Sequence, residues 1–475
     1  MIQLTKNGAR WTCLPEFAPK LDRLLADAGR ITRQTHAKLI TKHELEGTVY
    51  FIKHYVNSDV AGRPLKYFFK PSPARREWAR AILITQRGVP LVKHLAFGER
   101  WALNGLQESI LITEGFDGVP LVESPHRQSA EVQTALGRFL RLNHDRGVLQ
   151  RDLQHNILVR TDPLEILRVD VYHAEVKASL SETERRQNIA YLNVYVPLRD
   201  EFYASYGWTS QQAQVTRERS EVIRRARHYS RSKRCFKRNT DFSPQKMGGL
   251  KWFTRTKSLD ARVKQIIQDP ERWLRETASL FKGFDRASTV GAADGLVLKR
   301  YNFRKLQNLF KDLFRSSQAL RAYRKAHHLE LLHIATPRPI VAAERRCCRF
   351  LITGYLVVEE VPNARDLGEY LASVTRPDRN LIARLGDLIG RLHHEGFSNR
   401  DMKETNILVT ADLRPILVDL DGLKFINQVF ESRAAADLAR LVRATAKFSC
   451  VTHMSRVLFL RHYCRARKLT HVPRL

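Results

Sequence analysis

Two carboxylates and an amide recur in this chain at spacings that suit phosphoryl transfer. One set is Asp152, Asn156 and Asp170, the other Asp401, Asn406 and Asp419, and in both the later Asp follows the first by 18 residues. His-x-x-Gly precedes each set (His144 to Gly147, His393 to Gly396), Asn-Ile-Leu-Val lies inside it, and Asn188 or Asp437 follows 18 residues after it. So many spacings in register mark a duplicated domain, because a solenoid would repeat about every 20 to 50 residues. Phosphoryl transfer from a nucleotide needs a lysine on the phosphates, an acid to position it, an orienter for the acceptor hydroxyl, and oxygen ligands for magnesium. Asp401 can orient a hydroxyl, Asn406 can offer an amide oxygen to the metal, and Lys403 between them can neutralise the transferred group. Residues 416–419, Ile-Leu-Val-Asp, read as a buried strand ending in a further carboxylate.

These groups need a framework. Lys53 and Lys299 each follow an apolar, β-branched run and precede a tyrosine by two residues, so residues 49–55 and 295–301 read as strands. Helical spacing covers 74–85 and 319–332, and 110–114 and 355–360 read as further strands. The expected fold class is therefore α+β: two tandem bilobal domains, residues 1–205 and 281–475, each with a small β-rich lobe and a larger helical one. Residues 206–280 read as a basic, largely helical connecting segment, broken at Ser243-Pro244 and Gly248-Gly249. Ten basic side chains between Arg217 and Arg238 make part of it either a solvated helix face or a polyanion-docking surface.

The 475 residues carry 81 Lys+Arg against 49 Asp+Glu, a net charge of +32 that favours polyanionic partners. Six cysteines show neither C-x-x-C nor zinc-ligand spacing, which argues against a structural metal or a disulfide framework. The N-terminus lacks a signal-peptide core, and no apolar run approaches the roughly 20 residues of a membrane span, so a cytoplasmic protein with peripheral membrane contact is expected. No RNP-type aromatic motif or KH loop supports nucleic acid as the partner.

Both halves resemble the protein-kinase-like superfamily, and specifically the bacterial lipopolysaccharide core kinases that phosphorylate heptose or Kdo. The resemblance lies in Lys299-Arg300-Tyr301-Asn302, the Thr336-Pro337-Arg338-Pro339 turn, the hinge from Val357 to Pro362, Arg400-Asp401, and Val418-Asp419-Leu420-Asp421. In the first half it lies in Lys53, Arg76-Glu77-Trp78, Arg151-Asp152 and Val169-Asp170-Val171. It implies ATP with Mg2+ as donor and a sugar hydroxyl of the lipopolysaccharide inner core as acceptor. It also implies work on the cytoplasmic face of an anionic inner membrane. Carried onto this chain, Asp401, Asp152 and Lys403 are catalytic, Lys299, Lys53, Glu77 and Glu360 hold the nucleotide, and Asn406, Asp419, Asn156 and Asp170 bind the metal.

The two copies depart from the family pattern in opposite ways. In the first, Asn156 follows Asp152 by four residues instead of five and Gln154 stands where a phosphate-contacting Lys is expected, yet Glu77 is well placed to pair with Lys53. In the second the loop is complete, but Ala322 matches Glu77, and Glu330 could serve Lys299 only if its helix were shifted. Neither copy has a G-x-G-x-x-G loop, and residues 283–290 are the candidate phosphate-covering hairpin. His144 and His393 read as structural, Asp421 as a metal ligand or a turn residue, and Cys347-Cys348 as a packed strand pair. The alternative to a kinase is a catalytically degenerate scaffold for lipopolysaccharide assembly at the inner membrane. An antibiotic phosphotransferase is disfavoured, because cationic drugs call for an acidic acceptor site.

Overall fold

Runs of β-branched and aromatic residues build an antiparallel sheet in each half of the chain. In a computed structural model, residues 1–35, 38–56, 65–283, 288–302, 315–348 and 350–469 are described. They form two compact units, Met1–Ile223 and Arg224–Leu475.

The seven strands of the first unit's sheet lie in the order Ile2–Lys6, Ala9–Cys13, His94–Ala102, Gly105–Glu114, Thr48–Val56, Lys38–Leu45, Arg30–Thr35. Alternation along Thr48–Val56 sends Tyr50 and Ile52 into a core with Trp11, Leu21 and Ile112, and turns Lys53 to the opposite face. The helix Pro73–Gln86 starts where the Ser72 hydroxyl accepts from Arg75 N and Pro73 occupies the first turn. Its buried stripe holds Ala74, Trp78, Ala81 and Ile84, with Glu77 among them. A helical half follows, in which Ala130–Asp145, Glu182–Asn193 and Asp200–Tyr206 enclose Leu136, Leu140, Ile157, Ile189 and Phe202.

The second unit's sheet has the order Phe242–Met247, Leu250–Arg255, Pro339–Cys347, Phe350–Glu359, Leu296–Tyr301, Ser288–Ala293, Ser279–Lys282. Its helix Gln318–Leu331 is capped by Ser317 as its counterpart is by Ser72. In the helical half, Arg379–His394 lies so close to His453–Arg467 that a Cβ on Gly386 would stand 2.5 Å from the Phe459 carbonyl, and one on Gly390 2.5 Å from that of Tyr463. Only glycine fits there. Each unit thus has the expected α+β, kinase-like plan of a sheet-rich lobe and a helical lobe. No helix among the described residues is long and apolar enough to cross a membrane.

Two expectations are corrected and a third lies partly outside the described residues. The stretch 206–280 is not simply a helical connector: after the helix Ser210–Ser232 it supplies Phe242–Met247 and Leu250–Arg255 to the second sheet, so a domain start at 281 would cut that sheet. Pro244 is tolerated because its strand is an edge strand, and Gly248-Gly249, both at positive φ, form the hairpin turn. Cys347 and Cys348 are exposed at a strand end, with Cys348 at φ 46°, and are not a packed pair. Of the candidate covering hairpin, residues 284–287 lie outside the described residues; Ser279–Lys282 and Ser288–Ala293 pair on either side of them.

Candidate active site

In the first unit Lys53 projects from its strand onto the capped helix, where Nζ donates to Glu77 Oε1 at 2.6 Å. Glu77 is fully buried; its other oxygen accepts from the Tyr55 hydroxyl at 2.9 Å, and His94 Nε2 lies 3.7 Å from Oε1. Burial alone would raise the Glu77 carboxyl, but the Lys53 and His94 charges outweigh it and hold it well below the usual carboxylate range. Lys53 Nζ also lies 3.8 Å from Asp170 Oδ1, and Lys38 Nζ lies 3.4 Å from Asp170 Oδ2.

The second unit arranges its lysine differently. Ala322, buried at the position of Glu77, offers nothing to Lys299, and Glu330 bonds to Arg255 and His327 instead. Lys299 Nζ turns to Asp419 Oδ1 (2.8 Å) and Asp421 Oδ2 (2.9 Å), and the Tyr301 hydroxyl donates to Asp421 Oδ1 (3.2 Å). Burial works against the Lys299 charge, but the two carboxylates outweigh it and raise its pKa above the ordinary value. Lys325, one turn after Ala322, donates to the Leu420 and Asp421 carbonyls (2.9 and 3.1 Å), and burial pushes its pKa down to about 8.

Asp170 and Asp419 both adopt left-handed backbone, φ 50° and 52°, a conformation Asp tolerates better than most residues. The turn after each strand thereby holds its carboxylate toward the strand lysine.

The loops between diverge further. Asn406 Nδ2 donates to both the carbonyl and the Oδ2 of Asp401, at 2.9 Å each, and Lys403 Nζ stands 3.1 Å from the same Oδ2. Asp401 N donates to Asn399 Oδ1, while Asn399 N donates to Asp437 Oδ2 (2.9 Å). Asp437 is fully buried, 3.4 Å from His393 Nε2. Gly422 is obligatory, since a Cβ there would lie 2.7 Å from the Asp401 Cβ. In the first unit Asp152 is exposed, and neither its side chain nor that of Asn156 has a hydrogen bond among the described residues; the Asn156 carbonyl accepts from Val169 N. Behind them lies a buried polar chain, whose Arg168–Asn143 part the second unit lacks. Arg168 donates to Asn143 Oδ1 and Gln150 Oε1, Asn188 donates to the Gln150 carbonyl, and His144 bonds to Asn188 and Tyr206. Leu417 and Leu392 replace Arg168 and Asn143 in the second unit.

A cleft of about 790 Å³ in the second unit brings together Lys299, Lys403, Asn406, Asp419 and the hinge residues Glu359, Glu360 and Val361. Apolar side chains Val297, Ala322, Leu356, Leu408 and Val418 line it as well. Glu360 itself is exposed and ties the hinge to the sheet through its N–H, which donates to the Gly295 carbonyl at 2.9 Å. Both amide donations of Asn406 go to Asp401, so its Oδ1 is left to accept; with Asp419 it forms a hard-oxygen pair that suits magnesium, which takes few protein ligands and completes its shell with phosphates and water. The sequence reading missed Lys38, Lys325, His94 and Lys282, whose Nζ lies 3.9 Å from Asp419 Oδ2 at the cleft. Only Lys325 left a trace in the sequence, a cation one helical turn beyond the Glu77-equivalent position.

Fold and strand lysine together define the protein-kinase-like class. Residues 264–463 match the lipopolysaccharide kinase (Kdo/WaaP) family. No curated protein matches the chain. Among solved structures it is similar to WaaP in complex with acyl carrier protein, at 18% identity and a TM-score of 0.34, covering 45% of this chain and 99% of that one. It is also similar to an aminoglycoside-3'-phosphotransferase of type VIII (14%, 0.28, covering 43% and 90%) and to the bifunctional kinase-methyltransferase WbdD (17%, 0.25, covering 39% and 43%).

Proposed function

We propose that this protein is an ATP-dependent kinase that phosphorylates a heptose or Kdo hydroxyl of the lipopolysaccharide inner core, and that its second unit does the chemistry. The observation that carries this reading is the Asp401, Lys403 and Asn406 cluster, hydrogen-bonded as a unit beside a cleft that also holds Lys299 and Asp419. Asp401 orients the acceptor hydroxyl and takes its proton as the oxygen attacks the γ-phosphorus. Lys403, beside Asp401 Oδ2, balances charge on the phosphoryl group in flight. Lys299 moves from its carboxylate pair onto the α and β phosphates as the nucleotide enters. Asn406 and Asp419 hold magnesium, which supplies charge neutralisation on the phosphates when bound. Glu359, Glu360 and Val361 border the base, and the apolar wall from Val297 to Leu408 packs against it.

In this reading both units are kinase-like domains, the second extended back to include the strands from Phe242. The +32 charge holds the protein on the anionic inner face of the membrane that carries its acceptor. The test is incubation of purified protein with ATP, magnesium and defined core oligosaccharides, with the new phosphate located by mass spectrometry. Transfer to a core sugar is expected. No transfer to any core acceptor, together with no magnesium-dependent thermal shift by ATP, would replace this reading with the scaffold.

A further inference from the structure

The first unit keeps the frame of a nucleotide site while losing the second carboxylate and the Asn–Asp tie of the other unit. Its hinge is tied to the lysine strand as in the second unit: Gly115 N donates to the Val49 carbonyl at 2.7 Å, matching Glu360 N on Gly295. Lys53 is held by Glu77 from behind, and Asp170 faces it in left-handed backbone. Yet Tyr172 occupies the position of Asp421, and Asn156 has no bond to Asp152. One carboxylate therefore remains on the open side, and both its oxygens face ammonium groups, Oδ1 that of Lys53 and Oδ2 that of Lys38. Magnesium requires a near-octahedral set of oxygens at about 2.0 to 2.1 Å. Asp419 is flanked by lysines too, so the difference lies elsewhere: with Tyr172 in place of a second carboxylate and Asn156 not tied to Asp152 as Asn406 is to Asp401, the first unit's residues do not fit magnesium.

What they fit is the phosphate chain itself. Lys38 opens the strand Lys38–Leu45 opposite Tyr55, with Nζ 5.3 Å from that ring's centre; Ser288 has this register in the second unit. The Lys38 and Asp170 side chains are 23% and 38% exposed, so the cluster opens to solvent at this point. Beside it Arg76 stacks 5.0 Å over Tyr172, and Arg80 Nη1 is buried with no hydrogen-bond partner among the described residues. Cations thus stand where the second unit offers a second carboxylate.

We propose that the first unit binds a nucleoside triphosphate without a divalent cation, with Lys38 and Lys53 holding the phosphates. The choice of nucleotide rests on the ATP reading of the second unit. The test is photolabelling of the full-length protein with 8-azido-ATP, in EDTA and in magnesium, with the labelled peptides mapped by mass spectrometry. In EDTA the label is expected on first-unit peptides, reduced at least tenfold by Lys38→Met and restored by Lys38→Arg. Labelling of the first unit only after magnesium is added, in neither condition, or undiminished in Lys38→Met would overturn the proposal. Magnesium-dependent labelling of second-unit peptides in the same sample reports that each variant is folded; its absence from the wild type would instead sink the ATP reading of the second unit.

Discussion

Lys53 and Lys299 stand on equivalent strands and take different main partners. Lys53 is locked behind the cleft by a fully buried glutamate, whereas Lys299 has only alanine behind it and leans forward onto Asp419 and Asp421. The first unit has the better-positioned lysine and the poorer catalytic loop; the second has a complete loop and a lysine held by the carboxylates it must release. The comparison teaches that an intact Lys–Glu pair is separable from an intact loop.

The largest expected effect tests the assignment of the chemistry to the second unit. Asp401→Ala should lower transfer to core oligosaccharide by about 10² to 10⁴-fold, while Asp152→Ala leaves it unchanged. The reverse result, measured in the same steady-state assay, would exchange the roles of the two units. Next comes the buried pair: Glu77→Gln strands the Lys53 charge and should cost about 3 to 5 kcal/mol by chemical denaturation. Asp421→Asn should cost less, because Lys299 keeps Asp419 and both carboxylates are a quarter exposed. Equal losses would erase the distinction between the two lysines.

The buried chain behind the first loop sharpens the contrast. Arg168→Leu alone leaves the side-chain oxygens of Asn143 and Gln150 without their donor and should destabilise by about 1 to 3 kcal/mol. Adding Asn143→Leu copies the Leu417 and Leu392 pair of the second unit and should recover part of that loss, since apolar replacement of a whole buried polar group is often neutral. A double variant no more stable than the single one would show that the chain does more than fill space.

The smallest effect is in pH. Burial, with Arg168 nearby, pushes His144 down to about 4 from its ordinary 6.5. Between those values the unfolded chain binds the proton and the folded one does not, so His144 makes stability fall as pH drops through that window. Asn188→Asp copies Asp437, which supports the charge of His393, and should raise the His144 pKa and narrow the window. NMR titration of His144 checks it; an unmoved pKa would mean that burial alone sets it.

Much of the site was legible in the sequence because it is local. Asp401, Lys403 and Asn406 lie within six residues, Asp419 closes the next strand, and Glu77 lies 24 residues from Lys53 at the matching point of a capped helix. The structural reading of His144 and His393 also held, since both are buried and bonded to tyrosines. The sequence by itself determined the duplication, the α+β plan and the groups fit for phosphoryl transfer, because motif spacing and apolar periodicity are written along the chain. Only the tertiary structure decided that Lys299 meets Asp419 and Asp421, that Lys38 reaches Asp170, and that Phe242–Arg255 is a strand pair of the second sheet. Those pairings join residues about 80 to 130 positions apart, where partners are chosen by sheet register and packing and leave no local pattern to read.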